Sequence, residues 1–280
     1  EDLKAELERI DSLVTNMHQG IVGWVCTHGK PVRERDIRTN PHYMEYDPAV
    51  RSELCVPLRI GGRTIGCINV HSTQLDAFSD HDERLLTTLA GQTAIAIENA
   101  RLYQDALLSS ERRSILYQAS QEIARTSQDV ELVSSAVHRA ASQLMPCDAF
   151  VVTLADDARQ EIHGVYLFDR GVRHPGNILK YGEGISWRVI TTGKALHYED
   201  FEKADDGIIR HTFGQGERAR SLLAVPLRAG EKVIGMISTQ SYQPGVSTDE
   251  DAVLLETLGA NAGVAIENAR LFEDTRQRAV

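Results

Sequence analysis

The residues of this chain that could do chemistry are its thiols and imidazoles, and their spacing points to neither a metal site nor a nucleophile. The four cysteines, Cys26, Cys55, Cys67 and Cys147, are far apart, with none of the short pairs that a zinc site or a redox dithiol uses. Cys55 and Cys67 sit inside apolar, strand-like runs, where cysteine behaves as a small buried hydrophobe. The ten histidines are scattered. His163, His174, His197 and His211 share no metal-ligand spacing, so exposed or hydrogen-bonded imidazoles are expected. No Ser/His/Asp constellation and no phosphate-cradling glycine loop is recognisable.

The totals narrow the class. A net charge of -10 and a pI near 5.5 argue against a nucleic-acid partner, which would reward clustered Lys and Arg. With 42% apolar and 25% charged residues the chain reads as globular, and no apolar run approaches the length of a bilayer span. Its 280 residues suffice for two domains of ordinary size. The start at Glu1-Asp2-Leu3-Lys4 has neither an initiator Met nor a signal peptide, so a cytoplasmic fragment of a longer protein is expected.

The elements that must position these groups occur twice. Residues 51–66 read RSELCVPLRIGGRTIG and residues 220–235 read RSLLAVPLRAGEKVIG. Ala96 to Tyr103 (AIENARLY) returns at the same offset as Ala265 to Phe272 (AIENARLF). An earlier pair, Thr27 to Pro31 and Thr191 to Ala195, fits an offset five residues shorter, because the second copy has a longer loop before Arg220. Each copy contains a hairpin around Gly61-Gly62 or Ala229-Gly230. Pro57 and Pro226 fall in the first strand of each hairpin, where an edge or bulge position is expected. Ser79-x-x-Asp82 and Thr248-x-x-Asp251 then cap a following helix, in which Leu85, Leu86 and Leu89 mirror Leu254, Leu255 and Leu258.

Neither glycine nor proline occurs between Gly91 and Pro146, so that stretch is helical, with a break at Thr126-Ser127-Gln128-Asp129. A helix from Asp80 to Arg125 would run roughly 70 Å. Leu86, Ala90, Thr93, Ile97 and Ala100 form one stripe, which either packs on its own domain or forms a dimer seam. Leu108, Ile115, Ala119 and Ile123 form a second, assigned to a seam because no domain lies next to it in sequence.

These motifs, in this order and twice over, resemble the GAF family: G-I-x-G-W-V-x-x-x-G-K-P-V, RSELCVPL-x-x-G-G-x-x-IG-C-INV, F-S-x-x-D and AIAIENARLY. The resemblance covers about Gly20 to Tyr103 and Asp129 to Phe272. It implies an α+β fold of two GAF domains, each a central antiparallel sheet flanked by helices, joined by a long helix. The expected boundaries are 1–104, a connecting helix 105–126, and 127–280. Only eighteen positions separate Asp2 from Gly20, where the second copy has two strands. Either the first domain is truncated or residues near Val14 to His18 are missing from the chain; the second is favoured because an open sheet would expose its core.

The family's chemistries fit poorly. The cyclic-nucleotide signature is met in part by Asn69, Phe78, Asp82 and Glu83, but Val70 replaces its lysine and capping already explains Asp82. GAF-type free methionine sulfoxide reductases carry cysteines where this chain has Ile21-Val22-Gly23 and Glu45-Tyr46-Asp47, and Cys26 is the nearby thiol, without a partner. Cys147 after Met145-Pro146 is misplaced for a bilin. The resemblance instead implies a ligand pocket in the second copy, walled by Trp187 and Phe213 with Arg220, Ser221 and Thr239 as polar contacts, and no catalytic or metal residues. The expected role is a non-enzymatic, small-molecule-sensing and dimerising module of a histidine kinase, diguanylate cyclase or PP2C-type phosphatase. It would form a parallel homodimer through helices ahead of a C-terminal output domain, without membrane insertion. A ligand-free spacer is the alternative.

Overall fold

A computed structural model describes residues 19–45, 47–204, 207 and 218–278. The junction expected at Val14 to His18, together with Tyr46, His211 and Phe213, lies outside them. The chain divides into two compact units, Glu1–Leu107 and Leu108–Val280.

In the first unit, helix α1 (Gly20–His28) ends where Gly29 adopts φ 63°, a left-handed conformation that glycine tolerates, and its N–H donates to the Val25 carbonyl. Strands β1 (Val32–Glu34), β2 (Ser52–Ile60) and β3 (Arg63–Ser72) form an antiparallel sheet in that order. The pleat sorts β2 into two faces. Leu54, Val56 and Leu58 pack with Ala90 and Ala94 of helix α2 (Asp80–Arg125), while Cys55 packs with Ile21 and Val25 of α1 on the opposite face. Pro57 pairs with Cys67 on β3 and lies beyond the end of β1, whose pairing reaches only Cys55, so it sits where β2 has one strand neighbour. Ser79 and Asp82 make the reciprocal cap of α2.

In the second unit, helix α3 (Val130–Leu144) starts at the Asp129 cap, whose side chain accepts from Glu131 and Leu132 N–H. Seven antiparallel strands follow: β4 (Ala149–Asp156), β5 (Glu161–Asp169), β6 (Val172–His174), β7 (Ile178–Lys180), β8 (Leu196–Tyr198), β9 (Ser221–Ala229) and β10 (Lys232–Ser241). The sheet order is β6-β5-β4-β10-β9-β8, with β7 also on β5. Helix α4 (Gly184–Thr192) and helix α5 (Asp249–Arg278) complete the unit, α5 opening on the Thr248/Asp251 cap. Thus β8, β9 and β10 repeat β1, β2 and β3. The repeat differs at one edge. β10 pairs with β4 along six residues, whereas no described strand pairs with the corresponding edge of β3.

Of the second apolar stripe, Leu108 is exposed, but Ile115, Ala119 and Ile123 are not free to form a seam. Ala119 and Ile123 are buried in the core of the second unit with Val133, Val137, Phe150 and Leu258, and Ile115 packs against that cluster. Asn261 on α5 donates to Ser120 Oγ at 2.8 Å, and Arg139 on α3 pairs with Glu122, so the C-terminal part of α2 is a core helix of this unit. Sequence distance hides this packing, because the cover comes from α5, more than a hundred residues later, as well as from α3. Of the first stripe, Leu86 and Ala90 pack on the sheet of the first unit, while Thr93, Ile97 and Ala100 are exposed.

Candidate functional site

On the α1 face of the first unit lies a cavity of about 260 Å³. Ile21 and Val22 of α1, Ile37 of a 3-10 turn, and Tyr43 and Met44 of the following loop supply apolar walls. The sheet supplies Glu53 from β2 and Asn69 and His71 from β3. Register brings these together: Glu53 pairs with His71 on one side and Glu34 on the other, and Cys55 pairs with Asn69.

Glu53 is only 4% exposed, and a buried carboxylate needs partners. One is His71, whose Nε2 lies 3.6 Å from Glu53 Oε2; that interaction raises the imidazole pKa, against the opposing effect of burial. Asn69 Nδ2 is 3.1 Å from the same Nε2. A neutral His71 with its lone pair on Nε2 accepts from Asn69, whereas protonated His71 donates to Glu53 and releases the amide. Asn69 Oδ1 is buried with no hydrogen-bond partner. The Glu34 carboxylate is already held by Asn40 at 2.7 Å, and Asp47 also lines the cavity, so the charge left facing the space is acidic.

Below this cavity the thiols converge, contrary to the expectation that Cys26 stands alone. Cys55 and Cys67 share the α1 face of the β2–β3 hairpin and one cluster with Ile21 and Val25, and Cys67 lies close enough to Cys26 and Cys55 to shift the pKa of both upward. Residues 26, 55 and 67 are brought together by pairing and helix packing, which spacing in the sequence does not reveal. Cys147 is separate, its thiol pushed up to about 11 by burial. No group of three or more His, Cys, Asp or Glu among the described residues could hold a metal ion.

The corresponding face of the second unit is built differently. Leu222, Ala224 and Met236 stand where the first copy has Glu53, Cys55 and Cys67, and they pack with Val151, Leu167, Val189 and Phe201 in a buried apolar cluster. The polar contacts expected there are not assembled. Leu223 pairs with Thr239, and the pleat places Ser221, Leu223 and Val225 on the helix-packed face, so Ser221 and Thr239 point into the other layer; Thr239 Oγ1 lies 3.8 Å from Met145 Sδ. Arg220 is held by Asp200 through bonds of 3.2 and 3.0 Å and by Glu202 at 3.4 Å. Arg51 and Asp36 repeat that latch at 3.2 Å in the first unit, which marks it as part of the shared fold. Trp187 packs on Tyr181 with ring centroids 4.5 Å apart. The partial cyclic-nucleotide signature is also dispersed: Phe78 packs on the α2 face, Asp82 caps α2, and Glu83 pairs with Arg33.

A family model described as "GAF domain" matches residues 3–98 and 127–267, most of the chain and both copies of the hairpin. The chain belongs to the GAF-domain family. Among curated proteins it is similar to the dual 3',5'-cyclic-AMP and -GMP phosphodiesterase 11 of Drosophila melanogaster, 23% identical over 96% of this chain and 20% of that protein. It is also similar to protein YtsP of Bacillus subtilis, 31% identical over 26% of this chain and 44% of that protein. The chain therefore spans less than half of either relative. A similar solved structure is the type II free methionine-R-sulfoxide reductase from Thermoplasma acidophilum, 32% identical over 30% of this chain and 60% of that one, with a TM-score of 0.29. As a GAF protein the chain has the α+β build of antiparallel sheets and flanking helices typical of sensory regulatory modules. No helix among the described residues is long and apolar enough to cross a membrane.

Proposed function

We propose that this chain is a tandem GAF regulatory module of a cytoplasmic signalling protein, in which the first domain senses a small molecule and the second is a ligand-free spacer on the face of β8, β9 and β10. The observation that carries the reading is the buried Glu53 carboxylate at the wall of the 260 Å³ cavity, beside an Asn69 oxygen without a partner. A carboxylate and a bare carbonyl ask for donors, so the ligand is a compact molecule with an ammonium or similar cationic group and an apolar body that fits Ile21, Ile37 and Met44. A phosphate or carboxylate aimed at this wall would meet like charge. The apolar cluster around Leu222 and Met236 supports the spacer reading of the second domain.

The signal would pass along α2. Ile95, Ile97, Leu102, Tyr103, Leu107 and Leu108 are exposed on this helix, and Leu271 and Phe272 on α5, which suits parallel association of two chains. A C-terminal output domain of the kinase, cyclase or phosphatase type would read the change. The module is proposed to have no enzymatic activity of its own.

A ligand-observed magnetisation-transfer screen of small amines against the whole chain tests the binding role. Binding of a cationic member, lost in Glu53→Leu, supports it; indifference to that substitution refutes it. Thiol-dependent turnover of free methionine sulfoxide would refute the non-enzymatic assignment. Sedimentation of Ile97→Glu/Leu102→Glu against the parent checks the seam, the parent being expected to dimerise and the variant to dissociate with both domains folded.

A further inference from the structure

The three thiols of the first unit carry an inference independent of any ligand. Cys67 pairs with Pro57, and Cys55 with Asn69, so Cys55 and Cys67 are diagonal neighbours on the face covered by α1. Val22 of α1 packs in the same cluster as Cys67, and Cys26 follows Val22 by one helical turn, on the same side of the helix. Cys26 and Cys67 are partly exposed, whereas Cys55 is fully buried.

We propose that Cys67 and Cys26 are a peroxide-responsive thiol pair, Cys67 being the thiol that is oxidised and Cys26 the one that resolves it into a disulfide between α1 and β3. Thiolate character falls on Cys67, because the neighbouring Cys55 and Cys26 thiols draw its pKa down against the effect of burial. Burial and the neighbouring Cys67 push the Cys26 thiol up, and Cys67 and burial push Cys55 up, so those two remain protonated. Cys55 is a poor resolving partner. Diagonal cross-strand residues stand about 7–8 Å apart at Cα, beyond the usual reach of a disulfide.

The chemistry balances with hydrogen peroxide as the oxidant. The Cys67 thiolate attacks one peroxide oxygen, the O–O bond breaks, and the departing hydroxide takes up a proton to become water. Cys67 is then a sulfenic acid. The Cys26 sulfur attacks the Cys67 sulfur, the S–O bond breaks, and a second water leaves with the Cys26 proton. Two thiols have lost two electrons and peroxide has gained them. The product would pin α1 to β3, and with it two walls of the cavity, since Ile21 and Val22 lie on α1 and Asn69 lies two residues beyond Cys67.

Trypsin places each thiol on its own peptide: 10–33 for Cys26, 52–59 for Cys55, 64–84 for Cys67 and 140–159 for Cys147. The whole folded chain is treated with hydrogen peroxide, its remaining thiols are alkylated, and the non-reduced digest is read by mass spectrometry. The expected product is 10–33 linked to 64–84 within one chain, reversed by dithiothreitol and absent from Cys67→Ser. Cys26→Ser should leave Cys67 as a sulfenic acid that dimedone traps on 64–84. That gain of signal separates a lost resolving thiol from a misfolded variant, and unchanged Trp24 fluorescence confirms that the domain stays folded. Full alkylation of Cys67 after peroxide, a link through 52–59 or 140–159, links between chains only, or no dimedone adduct in Cys26→Ser would overturn the proposal.

Discussion

The two units repeat the same hairpin and the same helix, yet homologous leucines meet opposite fates. Leu254 and Leu258 are 9% and 0% exposed, while their counterparts Leu85 and Leu89 are 53% and 46% exposed. In the second unit α3 and the C-terminal part of α2 cover α5, and β4 closes the edge of β10. In the first unit the described residues supply neither cover. Motifs fix the local elements, whereas the energetics of each position depend on what the flanking chain lays over it.

The largest effects should therefore be one-sided. Ile123→Asp buries an unpaired carboxylate and should cost the second unit about 4 kcal/mol or more. Leu258→Ala should cost about 2–5 kcal/mol there, against less than about 1 kcal/mol for Leu89→Ala in the first unit. Trp24 and Trp187, the chain's two tryptophans, fall one in each unit, so urea unfolding followed in Trp24→Phe and Trp187→Phe backgrounds resolves the two transitions. Equal losses in both units would break the comparison.

Glycine gives a sharper version. A Cβ on Gly235 would lie 2.1 Å from the Thr153 carbonyl oxygen of β4, whereas one on its counterpart Gly66 would meet only a Leu58 methyl, at 3.5 Å. Gly235→Ala should lower the stability of the second unit by about 3 kcal/mol, and Gly66→Ala should change the first by less than about 1 kcal/mol. The same fluorescence experiment reads both.

The units should also respond oppositely to acid. Burial among Phe150, Tyr166 and Phe168 lowers the His138 pKa to about 4, from about 6.5 in an unfolded chain. Its contribution is complete above about pH 6.5 and is lost as pH falls toward 4, where the unfolded state binds the extra proton, by on the order of 3 kcal/mol. His71 is shifted upward by Glu53, so its contribution is present below about pH 6.5 and is lost as pH rises through its folded pKa. Unfolding at pH 5.5 and 7.5 should show the His138 dependence vanish in His138→Phe and the His71 dependence vanish in His71→Gln. The smallest effect belongs to the shared latch: Arg51→Ala and Arg220→Ala should each weaken their own unit slightly and alike, since both ion pairs are only partly buried.

Much of the local structure was legible because its signals are local. The caps at Ser79 and Thr248, the break before Asp129 and the two hairpins each occupy a few neighbouring residues. The functional face was less legible. Sequence alone offers Ser221 and Thr239 as ligand contacts, although Ser221, Leu223 and Val225 must share a face. The first copy carried the better signal, for Glu53, Asn69 and His71 stand where the second has Leu222, Ser238 and Gln240 on the same strand face. A buried acid in an apolar strand is costly and asks for an explanation that the second copy does not need. Ile123 was misassigned for the converse reason, since burial by residues 258 and 261 leaves no trace near position 123.

In the proposed function, binding belongs to the first unit and depends on the Glu53 wall. Its most direct test is calorimetric titration, with a primary amine selected from the fragment screen, of the parent, Glu53→Leu and Leu222→Glu. One site per chain is expected in the parent, none in Glu53→Leu, and an unchanged site in Leu222→Glu. Binding that survives Glu53→Leu, or a site that Leu222→Glu removes, would contradict it.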